Sequence, residues 1–329
     1  MLKRIALVLA GLVLLLTVAA TVVLVGAHRA VRRETAPLPT LDAIAAVAGV
    51  GQIVDDAPTG VSVINTASQA MPRASVLDPA RDPHGEQPYV MSHPSFVLEW
   101  KDGRMLLIDA GMTEAGARAF GTPLEWLGGA DPLVPHRSAA LALGAAAARV
   151  QGIVFTHLHT DHVGGVAELC ARVNLLHVPI TTAQAERTNH TTRPGLDQLE
   201  EAECVRFERV NGGPLFPVPG FPGVFLIDAG GHTPGSQIVL AFTHNGDGTS
   251  HRYAFTGDIV NNIDGITYDV PKPLLYRLLV VPESEERQHE LRLFLKRLRD
   301  EAGFELLVSH DQHAIEATGM PVWDEKRDQ

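Results

Sequence analysis

Cysteine is nearly absent from this sequence. Its 329 residues include only two, Cys170 and Cys204, which is too few for the disulfide framework of a small secreted domain. Neither belongs to a Cys-x-x-Cys pair, and this excludes a cysteine-based zinc site. We expect both residues to be buried free thiols. No cysteine directly follows the apolar N-terminus, so a lipid-modified cysteine is excluded there.

Basic residues are also scarce relative to acidic ones. The chain has 27 Lys and Arg against 38 Asp and Glu, a formal net charge of −11. A nucleic-acid partner would require a surface rich in Lys and Arg, so none is expected. Hydrophobic residues make up 45% of the chain, which is enough for a full core and argues against wholesale disorder.

Charge is missing altogether from residues 5–27, an apolar run preceded by Lys3 and Arg4. At about 1.5 Å per residue the run spans a bilayer core of about 30 Å. It exceeds the apolar region of a signal peptide, which has about 7–15 residues. We therefore predict that residues 1–28 form a transmembrane anchor, with a cleaved signal sequence as the alternative. Basic residues flank both ends of the run, so the charge distribution gives little information on its orientation. We expect the rest of the chain to be extracytoplasmic, or secreted if the run is cleaved.

The remaining chain is predicted to fold as one layered α/β domain. Residues 29–60 are rich in Ala, Pro and Gly and indicate a tether with room for a short helix, whereas residues 61–329 alternate strands and helices. Asp102-Gly103 predicts a tight hairpin turn. The expected strands are 96–100, 105–109, 152–156, 175–178, 224–228, 237–243, 253–256 and 305–309; the expected helices are 138–150, 163–172 and 284–302, with a turn at 245–248.

A short sequence echo indicates two halves. Leu107-Ile108-Asp109-Ala110-Gly111 is repeated as Leu226-Ile227-Asp228-Ala229-Gly230. The echo is too short to prove duplication, but a two-halved fold would produce it.

Histidine is abundant, with 15 residues, and four potential ligands form an H-x-H-x-D-H run. His157, His159, Asp161 and His162 directly follow a predicted strand. Imidazole and carboxylate groups are good zinc ligands. The spacing lets His157 and His159 face one ion and lets Asp161 and His162 face a second. Chance placement would give this pattern in on the order of 10⁻³ of such chains.

Three further candidate ligands follow in order. His232 stands in a loop rich in Gly and Pro, Asp258 directly follows the strand predicted at 253–256, and His310 follows the last predicted strand. A carboxylate at Asp258 can bridge two ions through its two oxygens.

Over residues 92–313 this series resembles the metallo-β-lactamase superfamily. The resemblance implies a four-layer αβ/βα sandwich with metals at one edge of the two sheets. It also implies a ligand set: His157, His159 and His232 on the first metal, Asp161, His162 and His310 on the second, with Asp258 bridging and Asp109 behind the metals, orienting a ligand.

The same resemblance implies the chemistry. Two divalent ions would hold a bridging hydroxide that attacks the substrate, and Asp161 would be the catalytic residue that orients it. Zinc is the expected metal, although manganese and iron also fit these ligands. The sequence has no G-x-S-x-G motif that would indicate a serine nucleophile.

Several branches of the superfamily fit poorly. True β-lactamases usually carry Cys or Ser where Asp258 stands, and the flavodiiron branch carries Glu where His159 stands. The motif spacing is most similar to the quorum-quenching lactonases, so an ester or lactone substrate is expected, with thioesters and phosphotriesters as alternatives. Two other classes stay open: a non-catalytic, membrane-tethered metal-binding protein and a di-iron oxidoreductase.

Four residues are candidates for the substrate pocket. Those lactonases often place a tyrosine three residues after the bridging aspartate, where this chain has Asn261; Tyr268 is a substitute, although packing is its expected role. His190 and Arg193 are further pocket candidates, with a solvated loop as the favoured alternative.

The leucines at 274, 275, 278 and 279 are expected in the core rather than in an acyl-chain pocket or against a membrane. His93 and His136 belong to no motif and receive no role. The expected partner is a small-molecule substrate, and no oligomeric state is predicted.

Overall fold

Two β-sheets form the centre of the protein, seen in a computed structural model that describes residues 2–32, 36–48, 56–211, 213–244 and 248–324. The described strands are β1 Gly60–Ala70, β2 Val90–Glu99, β3 Met105–Ile108, β4 Val134–Pro135, β5 Val150–Val154, β6 Leu176–Thr181, β7 Val205–Val210, β8 Phe216–Pro217, β9 Val224–Asp228, β10 Gln237–His244, β11 Ser250–Gly257 and β12 Glu305–Val308. They form a seven-stranded sheet in the order β4-β1-β2-β3-β5-β6-β7 and a five-stranded sheet in the order β12-β11-β10-β9-β8.

Helices cover the outer faces of both sheets. The described α-helices are α1 Leu2–Arg32, α2 Leu41–Ala48, α3 Glu114–Gly128, α4 Ala139–Leu143, α5 Thr160–Val163, α6 Val166–Cys170, α7 Thr182–Glu186, α8 Arg193–Glu201, α9 Asp264–Thr267, α10 Glu285–Asp300 and α11 Gln312–Ala317. Short 3₁₀-helices lie at Arg73–Ser75 and Gly144–Arg149, and a π-helical turn lies at Tyr276–Val280.

Three clusters of buried apolar side chains separate four layers. Phe96 and Phe255 meet between the two sheets, with ring centroids 4.8 Å apart. Ile153 packs with α6 on the outer face of the seven-stranded sheet. Leu240 packs with Leu295 of α10 on the outer face of the five-stranded sheet. The predicted four-layer sandwich is confirmed.

Strand β3 shows how the sequence builds these layers. All four of its residues are buried, so it has no polar alternation, as expected for a strand covered on both faces. Because successive side chains of a strand point to opposite faces, Leu107 joins the helical side while Leu106 and Ile108 lie between the sheets.

Most predicted elements are present, with differences at two helices. The hairpin at Asp102-Gly103 is confirmed, with Phe96 paired to Ile108 across it. The helix predicted over 138–150 ends early because Gly144 has φ +57°, which α-helical backbone does not allow. The helix predicted over 163–172 is divided into α5 and α6. Residues 245–247 of the predicted turn lie outside the described residues.

The N-terminal helix α1 is long and apolar enough to cross a membrane, by length and composition. Most of its large apolar side chains between Ile5 and Val25 are exposed. Within the predicted tether, Ile44 of α2 is buried in the same cluster as α10, so residues 36–48 pack against the domain. Residues 33–35 and 49–55 lie outside the described residues.

The prediction of free thiols was wrong, because Cys170 and Cys204 form a disulfide. Cys170 ends α6, and Cys204 directly precedes β7. The backbone N–H of Leu176 donates to the Cys204 carbonyl over 2.8 Å, which ties this connection to the start of β6. A separation of 34 residues contains no local signal for such pairing.

Replacing both cysteines by serine should lower the free energy of unfolding by about 4 kcal/mol, because the disulfide closes a loop of this length in the unfolded chain. Thermal unfolding of full-length protein in detergent, followed by circular dichroism, measures the effect. Dithiothreitol is the control: it should destabilise the wild type and leave the Cys170→Ser/Cys204→Ser variant unchanged. Equal stability of wild type and variant would contradict this prediction.

Candidate metal centre

The predicted ligands lie where strands of both sheets end. His157 and His159 follow β5 of the seven-stranded sheet, whereas Asp258 and His310 follow β11 and β12 of the five-stranded sheet. The sheets are tied together beside the site, where the backbone N–H of Gln237 donates to the Thr156 carbonyl over 2.7 Å. Residues distant in sequence thus converge at one edge.

One group of potential ligands contains His157, His159, His232 and Asp258. All four are buried, and their ligand atoms lie within 4.8 Å of one another. Asp258 Oδ2 is 3.7 Å from His157 Nε2 and 3.6 Å from His232 Nε2. This group corresponds to the three histidines predicted for the first metal, together with the predicted bridge.

A second group contains His162, His310 and again Asp258. His162 Nε2 is 3.2 Å from Asp258 Oδ1, and His310 Nε2 is 2.9 Å from Asp258 Oδ2. Asp258 therefore lies between the two groups and offers oxygens to both.

Asp161 faces the second group and also contacts a histidine that sequence reasoning missed. Its Oδ2 lies 3.4 Å from His310 Nε2, 3.6 Å from His162 Nε2 and 3.2 Å from His93 Nδ1. His93 is buried in β2, and with Asp161 and His310 it forms a third possible ligand group. Its sequence neighbourhood, Ser92-His93-Pro94, contains no metal-binding spacing, so only tertiary packing reveals it.

In three of these histidines, Nε2 faces Asp258 and the other ring nitrogen, Nδ1, lies beside a hydrogen-bond acceptor. His162 Nδ1 lies 2.8 Å from Asp109 Oδ2, His232 Nδ1 lies 2.6 Å from Glu283 Oε1, and His310 Nδ1 lies 2.7 Å from a backbone carbonyl. An acceptor at Nδ1 fixes the tautomer whose Nε2 lone pair is free to ligate a metal. All three Nε2 atoms face Asp258.

Asp109 lies behind the cluster, in the place the resemblance implied. Besides His162, its carboxylate accepts from the backbone N–H and the hydroxyl of Thr156, each at 2.8 Å. Its φ of +59° is unusual for a residue other than glycine. Asp109 thus connects the end of β3 with the first residue before the histidine run.

A buried lysine–glutamate pair supports His232, and sequence reasoning missed it as well. Lys272 Nζ donates to Glu283 Oε1 over 2.7 Å and to the Asp258 carbonyl over 2.5 Å. Burial alone would raise the pKa of Glu283, but Lys272 and His232 lower it below its usual value. Glu283 therefore stays ionised and accepts a hydrogen bond from Nδ1 of His232.

The donor set fits divalent metal ions. The Nε2 atoms of His157, His162 and His232 and Oδ1 of Asp258 are buried and have no hydrogen-bond partner among the described residues. Buried polar atoms are normally paired. Nitrogen and carboxylate oxygen are the donors that zinc binds, so metal ligation would satisfy these atoms.

The charges of the site residues also fit a bound metal cation. Burial lowers the pKa of His157 well below its usual value and that of His159 to about 3, so both imidazoles are neutral. Burial alone would also lower the pKa of His162, but the carboxylates of Asp258 and Asp109 raise it well above its usual value. The two carboxylates thus stabilise a positive charge beside them, and a bound metal cation would supply that charge.

Gly165 allows the backbone to pass close to this region. A Cβ atom at this position would lie 2.3 Å from the carbonyl oxygen of Ala110, a contact that no side chain could make without moving the backbone. The close approach of these two backbone segments therefore requires glycine at position 165.

Tyr276 is the tyrosine that the structure brings towards the site. Its ring lies beside Lys272, whose Nζ is 5.3 Å from the ring centroid and donates to the Asp258 carbonyl. Burial, with the carboxylates of Glu283 and Asp258, raises the pKa of Tyr276 well above its usual value, so the phenol keeps its proton. No sequence spacing indicated Tyr276, which lies 15 residues beyond Asn261.

The other pocket candidates lie in different surroundings. Tyr268 is 49% exposed and packs its ring edge against His84, with ring centroids 5.4 Å apart. His190 is exposed in a turn. Arg193 pairs with Asp197 and Glu200 on the surface of α8. Thr191, next to His190, does contact the cluster, since its hydroxyl lies 3.0 Å from His159 Nε2.

Comparison with known proteins is consistent with this site. A family model described as the metallo-beta-lactamase superfamily matches residues 88–310. No curated protein matches the sequence.

Solved structures share the fold at low sequence identity. An N-acyl homoserine lactone hydrolase with the product N-hexanoyl-L-homoserine bound at its catalytic metal centre has a TM-score of 0.58 at 16% identity, covering 81% of this chain and 98% of that one. A B. thuringiensis AiiA variant with N-decanoyl-L-homoserine in its active site has a TM-score of 0.57 at 17% identity, with the same coverage. A probable metal-dependent hydrolase from Staphylococcus aureus has a TM-score of 0.50 at 12% identity, covering 78% and 91%.

Proposed function

Because the chain belongs to the metallo-beta-lactamase superfamily, we propose that it is a dinuclear metal-dependent hydrolase of an ester, a lactone or a related carbonyl compound. The observation that carries the proposal is the position of Asp258, which offers oxygens to two groups of buried histidines. Zinc is the expected metal.

The predicted ligand assignment is retained in this proposal. The first metal would be held by His157, His159 and His232, and the second by Asp161, His162 and His310. Asp258 would be shared. The shared carboxylate and the unpaired Nε2 atoms support this division.

Bound divalent metal supplies an activated water nucleophile at neutral pH and polarises the bond that is attacked. Asp161 would orient that nucleophile and accept its proton. His93, 3.2 Å from the Asp161 carboxylate, would hold it in position. Asp109 and Glu283 would keep His162 and His232 in the ligating tautomer.

Tyr276 would provide the hydrogen-bond donor that lactonases place three residues after the bridging aspartate. Its phenol keeps its proton and so can donate to a carbonyl oxygen as that oxygen gains charge. Asn261, in the tyrosine position of those enzymes, would orient Tyr276 rather than act on the substrate. Tyr268 is then left with a packing role.

Replacing Tyr276 by phenylalanine should reduce kcat by roughly 10- to 100-fold, because a hydrogen bond to a charged group contributes about 1.5–3 kcal/mol. Steady-state kinetics of the metal-loaded enzyme measure this. Tyr268→Phe is the matched control and should leave kcat unchanged. If the two variants lose activity equally, or neither does, this role for Tyr276 is wrong.

We also propose that α1 anchors the protein and that the catalytic domain, residues 61–329, is extracytoplasmic. The exposed apolar surface of α1 supports the anchor. The Cys170–Cys204 disulfide supports the location, because disulfides persist mainly in oxidising compartments. Cleavage and secretion would be seen as a shortened N-terminus in mass spectra of the protein from culture medium.

Metal analysis and a substrate panel test the hydrolase proposal. Full-length protein in detergent should contain two divalent ions per chain, and it should hydrolyse members of a panel of lactones, esters, thioesters and phosphotriesters. Loss of activity with a chelator and recovery with Zn²⁺ would support the metal's role. One tightly held ion with no turnover of any substrate would instead favour a non-catalytic metal-binding protein.

A further inference from the structure

The segment after α9 exposes a continuous set of apolar side chains. Here the prediction of core packing was wrong: the side chains are between 42% and 67% exposed. We refer to them as the leucine surface, which consists of Leu274, Leu275, Leu278, Leu279 and Val280. Five neighbouring large apolar residues in water are unfavourable, and contiguous patches of this kind mark interaction sites.

The end of α1 lies against this surface. The imidazole of His28 contacts the Leu278 carbonyl oxygen through Nε2 at 3.1 Å. Ala27 and Val31, on the same turn and the next, are buried, in contrast to the exposed apolar residues that precede them. The helix therefore leaves the domain beside the leucine surface.

The length of α1 indicates how deep the contact between His28 and Leu278 would lie in a bilayer. Its exposed apolar part, from Ile5 to Val25, is about 31 Å long at 1.5 Å per residue, which matches a hydrocarbon core of about 30 Å. His28 lies three residues further, about 4.5 Å along the axis. The Leu278 carbonyl that it contacts is then level with the lipid headgroups, and Arg29 is exposed at the same level.

We propose that the leucine surface inserts into the interfacial region of the bilayer that α1 spans, so that lipid is its partner. This inference rests on the proposed membrane anchor. The segment that carries the leucines also carries Tyr276, whose ring centroid lies 5.3 Å from Nζ of Lys272, the residue that donates to the Asp258 carbonyl at the metal cluster. The active site is therefore presented at the membrane surface, where a substrate with an apolar tail dissolves in the lipid.

Site-specific fluorescence tests the insertion directly. Because both native cysteines are paired, an introduced cysteine is the only free thiol and can be labelled with the polarity-sensitive dye NBD without reductant. Full-length Leu275→Cys and Leu279→Cys are reconstituted into phosphatidylcholine–phosphatidylglycerol vesicles with or without 5-doxyl lipid. Leu14→Cys, in the middle of α1, reports on the anchor.

Leu141→Cys is the matched control, because Leu141 is 45% exposed but lies in α4, over the outer face of the seven-stranded sheet. An interfacial apolar surface lies about 5–10 Å into the headgroup–acyl boundary, so we expect the doxyl lipid to remove about half of the emission at 275 and 279 and almost none at 141.

The outcomes separate the two proposals. Quenching at position 14 without quenching at 275 and 279 would overturn the lipid contact and leave the anchor intact. Absence of quenching at all three positions would overturn both. Crosslinking of the 275 cysteine to a second copy, without lipid quenching, would show that the leucine surface binds another chain instead. None of these measurements depends on hydrolase activity.

Discussion

Replacing Asp161 by asparagine should lower kcat/KM by on the order of 10²–10⁴-fold, the usual contribution of a positioned proton acceptor. The neutral amide cannot take a proton from the nucleophile, although it preserves the shape of the side chain. Burial alone would raise the pKa of Asp161, but His162, His93 and His310 hold it far below its usual value. The wild-type residue is therefore a carboxylate throughout the neutral range, and it is this charge that the substitution removes.

Kinetics and metal content must be measured together for this variant. Circular dichroism should be unchanged, because the asparagine is isosteric. Asp197→Asn, which alters an exposed carboxylate on α8, is the control and should retain full activity. Undiminished turnover by metal-loaded Asp161→Asn would rule out the proposed role.

Replacing Asp258 by asparagine should be the most damaging change at the site. An amide offers one oxygen, so it cannot be shared between the two histidine groups that Asp258 now joins. We expect metal content to fall from two ions towards one. Metal ions contribute several kcal/mol to transition-state stabilisation, so kcat/KM should fall by on the order of 10³-fold or more.

Asp228→Asn provides the comparison. Asp228 ends β9 and occupies, in the repeated Leu-Ile-Asp-Ala-Gly sequence, the position that Asp109 occupies at the end of β3. It does not belong to any ligand group found among the described residues. Metal analysis by mass spectrometry should find two ions in Asp228→Asn. Two tightly held ions in Asp258→Asn as well would refute a shared carboxylate.

The seven candidate ligands could be proposed from the sequence because each is close to a strand end. The run from His157 to His162 is local, and His232, Asp258 and His310 each follow an apolar segment that predicts a strand. Since the strands of both sheets end at one edge, the ligands converge there. Strand prediction and ligand chemistry, together with the family resemblance, therefore indicated seven residues that the structure brings together.

The supporting residues were not predictable in this way. His93 lies inside β2, and Tyr276, Lys272 and Glu283 lie between α9 and α10, on the segment that includes the π-helical turn. Their roles depend on which atoms they contact, such as Asp161 for His93 and His232 for Glu283. No spacing encodes such contacts, because they arise between segments that meet only after the sheets have packed.

By itself the sequence determined the apolar helix, the alternation of strands and helices that indicates a layered α/β fold and the seven candidate ligands, because hydrophobic periodicity and ligand spacing are local properties. Only the tertiary structure decided that Cys170 and Cys204 are joined, that Tyr276 rather than Tyr268 approaches the cluster and that the leucines near residue 278 face outward. These properties depend on what covers each side chain, and that is settled by packing between distant parts of the chain.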